Sequence, residues 1–164
     1  MKLLTLFAFT AGLFAQSAAD PWKPLEFLIG DWAAADSAGE PGKASSGAFS
    51  FKFDLEKKVL IRRNVADYPG GLHHEDLMVI YPGSPMRATY WDNEGHVIPY
   101  KVSAVAAGVV FLSDASTTEP RYRLSYRATG ERTANLTFEI APPGQPEAFK
   151  QYVTATVVKK ESRK

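Results

Sequence analysis

Hydrophobic and polar residues alternate along most of this chain with a period of two, the pattern of half-buried antiparallel β-strands. In the segment AFSFKFD, Phe49, Phe51 and Phe53 fall on one face, and Ser50 and Lys52 fall on the other. β-Branched and aromatic residues, which favour extended structure, are frequent in these segments. The alternation predicts ten strands, at 29–35, 48–54, 59–66, 74–81, 86–91, 96–102, 108–113, 121–127, 134–140 and 148–158.

Turn-forming sequences separate the strands. The segments YPGSP, DNEG, ATGE and APPGQP carry the proline, glycine, asparagine and aspartate residues that turns favour. One short helical turn is predicted from Trp22 to Leu28, with Pro24 at a position where a helix accepts proline. Short sequential strands form an up-and-down meander, which must either expose its edges or close. We therefore predict an all-β fold, a single up-and-down antiparallel β-barrel of about ten strands. A barrel of this size tends to keep an internal cavity, but the sequence does not determine whether the lumen is open or filled.

The N-terminal segment differs from the rest of the chain. Lys2 is followed by an uncharged apolar run at 3–14 and by small residues that end at Ala19. This is the pattern of a secretory signal peptide, and it is too short for a membrane span. We predict a signal peptide at 1–19, one barrel domain at 20–164, and an exported protein that is periplasmic or secreted.

Composition narrows the classes of partner. Without Lys2 the chain carries 18 basic and 18 acidic residues, a balance that indicates no nucleic acid as partner. The chain has no cysteine, which excludes thiol catalysis, thiolate metal sites and disulfide bonds. No later segment is apolar enough for a membrane span, and we predict a monomer or a weak homodimer.

The stretch LEFLIGDW combines a short apolar turn with a Gly-x-Trp sequence, Gly30 and Trp32, that enters the first strand. It resembles the start of the barrel in the calycin superfamily, and most of all in the nitrobindin-like and lipocalin-like bacterial barrels. The resemblance implies a lipocalin-like domain with Gly30 and Trp32 at the barrel floor. Nitrobindin-like proteins bind haem through a histidine near the chain end. No histidine follows His96 here, so we predict no haem and no other cofactor.

The parity of each strand predicts which side chains face the lumen, because the apolar face of a small barrel in water points inward. Arg63 and His96 share the predicted inner faces with apolar residues. A buried arginine needs a protein carboxylate, an anionic ligand group or a route to water. The candidate ligand-binding residues are Arg63, His96, Tyr100, Tyr122 and Tyr126. The predicted inner face also contains Phe49, Phe51, Phe53, Ile61, Val65, Ile98, Leu124, Leu136, Phe138 and Ile140.

Two segments carry candidate chemistry. In LHHEDL, His74 and Asp76 share one strand face, a spacing compatible with metal binding, but polar residues entering a strand from a loop are usually just solvated. In DNEGH, His96 lies close in sequence to Asp92 and Glu94, which is compatible with acid–base catalysis and equally with an ordinary hairpin turn. We therefore predict no metal site and assign no catalytic residue.

Three functions remain open at this point. The favoured one is an exported barrel that binds a small lipophilic ligand, for which a carboxylate head group is one option. The second is a small-molecule enzyme that uses His96 with Glu94 or Asp92. The third is an envelope interaction module with a filled barrel and no small ligand.

Overall fold

Ten sequential antiparallel strands close into one barrel, which confirms the predicted all-β fold. The computed structural model describes residues 20–35 and 46–161. The predicted signal peptide and most of the predicted loop at 36–47 lie outside these residues. A 3₁₀ helix, Lys23–Leu28, precedes the barrel, as predicted. The strands are β1 (Gly30–Ala34), β2 (Ser46–Asp54), β3 (Val59–Asp67), β4 (His73–Tyr81), β5 (Arg87–Asp92), β6 (Val97–Val105), β7 (Gly108–Ser113), β8 (Arg121–Gly130), β9 (Thr133–Ala141) and β10 (Lys150–Lys159).

Each strand pairs with its neighbours in the chain, and β1 closes the ring by pairing with both β2 and β10. In this closing seam Trp32 lies opposite Phe49 on one side and Lys159 on the other. Closure leaves no strand edge unpaired, which removes the main aggregation hazard of an open sheet. None of the helices in 20–35 and 46–161 has the length and apolar character that crossing a membrane requires.

The 3₁₀ helix covers the end of the barrel where β1 begins. Leu25 and Leu28 are fully buried in the core, and Trp32 follows them into the barrel. The Trp32 indole donates a hydrogen bond to the Leu28 carbonyl oxygen at 2.7 Å, and its ring stacks on Phe49 with centroids 6.0 Å apart. Gly30 has a φ of 122°, which favours glycine at the junction between helix and strand. These contacts hold the helix against this end of the barrel.

One strand faces the other way from the prediction. In β3 the buried face carries Leu60, Arg62 and Ala66, whereas Arg63 and Val65 are exposed. The predicted inward placement of Arg63, with Ile61 and Val65, is therefore wrong. Hydrophobicity alone cannot fix the parity of β3, because apolar residues occur on both of its faces. The pairing of β3 with its neighbouring strands determines which face points inward, because two residues directly opposite each other on paired strands lie on the same face of the sheet.

The interior is filled at one end and open at the other. Towards the 3₁₀ helix the core is closed by fully buried side chains from several strands, and Phe51, Phe111 and Tyr126 meet there edge to face. The remaining residues of the predicted inner face on β2, β6, β8 and β9 lie in the core or line the space above it. The barrel therefore has a packed floor and an accessible upper half.

Candidate functional site

The upper half of the barrel encloses a cavity of about 750 Å³, within the range of small-molecule sites. Its lining is divided between two sides of the barrel. The polar wall comes from β3 to β6 and the β5–β6 turn, and consists of Arg62, Asn64, His74, Asp76, Tyr90, Asp92, Glu94, His96 and Tyr100. The apolar wall comes from β8 to β10, and consists of Tyr122, Leu124, Leu136, Phe138, Ile140, Val153, Ala155 and Val157.

A buried ion pair joins the polar wall to the floor. The Arg62 guanidinium pairs with the Asp76 carboxylate, and the two side chains are only 5% and 3% exposed. Arg62 Nε also donates to the Tyr126 hydroxyl at 2.7 Å, and Asn64 Nδ2 donates to Asp76 Oδ2 at 2.9 Å. Burial disfavours the charged guanidinium, but Asp76 together with Tyr126 and Tyr90 outweighs burial, so the pKa of Arg62 is raised. The buried arginine of the lumen is therefore satisfied by a protein carboxylate.

His74 connects this pair to the mouth of the cavity. Its Nε2 lies 3.3 Å from Asp76 Oδ2 and 3.2 Å from the Tyr90 hydroxyl, and its Nδ1 lies 3.0 Å from Glu94 Oε1. The hydrogen bond to Asp76 raises the pKa of His74; burial opposes the shift, and the bond to Glu94 supports it. His74 is therefore held between two carboxylates that favour its protonated form.

The β5–β6 turn builds a second histidine–carboxylate pair. Gly95 adopts a φ of 93°, which lets the chain reverse, and Asp92 Oδ1 accepts the backbone N–H groups of Glu94 and His96. His96 Nδ1 lies 2.8 Å from Asp92 Oδ2. Burial raises the pKa of Asp92, but the interactions with His96 and the hydrogen bond from Tyr90 together outweigh burial and lower it. Within the described chain, His96 Nε2 has no hydrogen-bond partner, and the side chain is half-exposed at the cavity mouth.

The predicted tyrosines occupy three different environments. Tyr100 lines the polar wall, is 2% exposed, and packs against the Tyr90 ring at 6.4 Å. Tyr122 lies on the apolar wall and stacks on Phe138 with centroids 6.1 Å apart. Tyr126 lies below the cavity in the packed floor, where burial raises its pKa to about 12 although Arg62 opposes the shift. Tyr126 therefore supports the site from beneath.

Of the five predicted binding residues, the structure brings His96, Tyr100 and Tyr122 to the cavity, leaves Tyr126 beneath it, and places Arg63 on the outer surface.

Arg62 was missed in the sequence because the wrong face of β3 was predicted to point inward. The length of the β2–β3 turn could have identified Arg62 as the inward arginine, because it sets the register between the two strands. Asp54 pairs with Val59 across a four-residue turn, so the inward Phe53 lies opposite Leu60, and Phe51 lies opposite Arg62.

From the sequence, His74 and Asp76 were weighed as metal ligands and as solvated polar residues, and no metal site was predicted. In residues 20–35 and 46–161, no group of three or more histidine, cysteine, aspartate or glutamate side chains is arranged to hold a metal ion. Their role in the structure is a hydrogen-bonded network that runs from Tyr126 through Arg62 and Asp76 to His74.

No protein-family model matches this chain, and no curated protein matches it. The geometry of the cavity therefore carries the functional argument.

Proposed function

We propose that this protein binds a small lipophilic molecule in the lumen of a calycin-like barrel. The single observation that carries the proposal is the open cavity of about 750 Å³, whose apolar wall runs along β8 to β10. Burying apolar ligand surface there contributes about 25 cal/mol per Å² before the costs of association. A barrel filled by its own side chains would instead have favoured an interaction module.

The proposal does not extend to a carboxylate head group. That option depended on an unpaired arginine in the lumen. The lumenal arginine is Arg62, and its charge is already matched by Asp76. An added anion would have to compete with that carboxylate at short range.

Export is part of the same proposal. The N-terminal segment has the charge, apolar run and small residues of a secretory signal peptide. We expect the protein in a periplasmic or culture fraction, with a mature N-terminus at Asp20, and Edman sequencing of that fraction checks it. A cytoplasmic protein whose N-terminus is still Met1 or Lys2 would contradict the proposed export. It would not affect the proposal that the barrel binds a ligand.

Ligand binding is tested by extraction and by blocking the cavity. Organic-solvent extraction of the purified protein followed by mass spectrometry identifies any retained ligand, and titration with the neutral dye Nile red measures binding. Ala155 lies on the apolar wall opposite Leu136, so Ala155→Trp fills part of the cavity. Ser103 is exposed on β6 away from the cavity, and Ser103→Trp is the matched control.

We expect Ala155→Trp to weaken Nile red binding by about tenfold or more, equivalent to about 1.4 kcal/mol, and Ser103→Trp to leave it unchanged. Circular dichroism checks that both variants keep their fold. Equal binding by both folded variants, or no binding by the parent protein, would overturn the proposal.

The Asp92–His96 pair supports a second candidate function, acid–base catalysis on a molecule bound in the lumen. The carboxylate holds Nδ1, and Nε2 remains available at the cavity mouth, the arrangement a general base requires. Incubating a ligand recovered from the protein with fresh protein would then convert it. His96→Gln should remove conversion and keep binding, whereas unchanged conversion in that variant would exclude this function.

A further inference from the structure

The charges of the cavity lining are unbalanced. Arg62 is its one permanent cation in the part of the chain that the structure describes, against three carboxylates, Asp76, Asp92 and Glu94. Asp76 forms an ion pair with Arg62. In this region, Glu94 and Asp92 contact only the imidazoles of His74 and His96, respectively, as possible counter-charges. With both imidazoles neutral, the lining carries two uncompensated negative charges, and with His74 alone protonated, the form that its raised pKa favours, it still carries one.

Glu94 is the carboxylate best placed to meet a ligand. Its side chain is 49% exposed at the mouth, and its Oε1 contacts His74 Nδ1. The second oxygen, Oε2, makes no hydrogen bond to any described residue, so it can accept one from a bound molecule. Asp92, by contrast, uses both oxygens within the β5–β6 turn and is 4% exposed, so its contribution is its charge.

A buried tyrosine gives an independent indication of a ligand. Tyr100 is 2% exposed, lines the cavity, and has no hydrogen-bond partner for its hydroxyl among the described residues. No fully buried side-chain nitrogen or oxygen lacks a partner in this part of the chain, so the Tyr100 hydroxyl opens into the cavity. This hydroxyl is therefore free to hydrogen-bond with a molecule in the cavity, and a ligand would provide a partner.

The aromatic surroundings suit a cation. The Tyr90 and Tyr100 rings lie 6.4 Å apart on the polar wall, and the Tyr90 hydroxyl donates to Asp92. Tyrosine rings attract organic cations through their negative faces, and more strongly where water is excluded. An anionic head group would meet the same rings and carboxylates with repulsion, because no uncommitted cation lines the described part of the cavity.

We propose that the lumen binds a cationic amphiphile, with an alkylammonium head at Glu94 and Asp92 on the polar wall that Tyr100 also lines, and its tail along the apolar wall. This inference rests on the proposed binding of a lipophilic molecule in the lumen and names the chemical class of that molecule. The charge selects the head group, and the apolar wall from β8 to β10 accepts the chain.

Three probes with the same hydrocarbon chain test the proposal: laurylamine, lauryl alcohol and laurate, each displacing Nile red at neutral pH below its micelle-forming concentration. The amine is charged under these conditions, as a lysine side chain is. We expect laurylamine to bind at least about tenfold more tightly than laurate, with lauryl alcohol between them, and we expect salt to reduce the preference.

Glu94→Gln removes one negative charge from the mouth of the cavity and keeps the size of the side chain and one carbonyl acceptor. We expect it to weaken laurylamine binding about fivefold, the effect of one partly exposed ion pair, and to leave lauryl alcohol unchanged. Glu75→Gln is the matched control, because Glu75 is an exposed acid on the outer face of β4. It should change neither probe.

The outcomes separate the two proposals. Binding of lauryl alcohol with no preference for the amine, or with laurate bound more tightly, would overturn the cationic ligand and leave lumen binding standing. An equal loss for amine and alcohol in Glu94→Gln would also overturn it, because the effect would then be one of shape. If Nile red binds and none of the three probes displaces it, the cationic ligand is overturned and lumen binding stands; if Nile red does not bind, both proposals fail.

Discussion

Replacing Asp76 by leucine should destabilise the protein strongly, because it leaves the Arg62 guanidinium buried without a counter-charge. Both side chains are almost fully shielded, at 5% and 3% exposure, so water cannot take over the role of the carboxylate. Removing one partner of a buried ion pair costs about 3–5 kcal/mol. Asn64 and His74 lose an acceptor in the same change, which places the effect at the upper end.

Urea unfolding followed by tryptophan fluorescence measures the effect, with Arg62→Met and the double variant Arg62→Met/Asp76→Leu alongside. Each kcal/mol lowers the melting temperature by roughly 3–5 °C in a domain of this size, so with a loss of about 5 kcal/mol the Asp76→Leu variant should melt roughly 15–25 °C lower. The double variant should recover about half of the loss or more, because it buries two apolar side chains and no isolated charge.

Two results would refute this reasoning. An Asp76→Leu variant within about 1 kcal/mol of the parent protein, with an unchanged urea dependence, would mean that water reaches the guanidinium. A double variant whose loss equals the sum of the two single losses would mean that the two charges are not coupled.

Three further changes test the barrel floor, a close backbone approach and a titrating group. Trp32→Ala should cost about 3–5 kcal/mol, because the indole is buried and hydrogen-bonded, whereas Trp91→Ala on the outer surface should cost far less; similar losses would contradict a packed floor. Gly108→Ala should cost about 1–3 kcal/mol, since the added Cβ would lie 2.2 Å from the Tyr126 carbonyl oxygen; a variant as stable as the parent in urea would refute that crowding. The pKa of His74 is raised in the folded state above its ordinary 6.5, so the protonated form stabilises the fold; the stability that the parent gains over His74→Gln should be fully present below pH 6.5 and be lost as pH rises through the folded-state pKa. Thermal unfolding of the parent protein and of His74→Gln at a series of pH values measures this stability difference. A difference that grows as pH rises would contradict a raised pKa of His74 in the folded state.

Local patterns predicted the architecture well. Strand alternation and turn residues depend on neighbours in the chain, and they gave all ten strands to within a few residues of their bounds in the structure. The helical turn before β1 was likewise visible, because proline and apolar residues mark it within one short segment. Sequential pairing then made a closed meander the natural arrangement.

The candidate site was predicted only in part. Tyr100 and Tyr122 were found because each lies on a strand whose inward face has a clear apolar parity, and His96 was found because it directly precedes β6 with the same parity as Ile98 and Tyr100. Arg62 was missed because β3 carries apolar residues on both faces, and only its pairing with β2 distinguishes them. The contact between His74 and Glu94 joins residues 20 positions apart across neighbouring strands, so no local pattern could reveal it.

By itself, the sequence determined that this chain forms many short antiparallel strands and that Trp32 enters the first of them, since both follow from periodicity and turn chemistry along a few residues. Only the tertiary structure decided which arginine enters the lumen, which carboxylate neutralises it, and how much of the lumen stays empty. Those properties depend on strand register and on the volume of side chains converging from opposite sides of the barrel, which residues far apart in the chain set together.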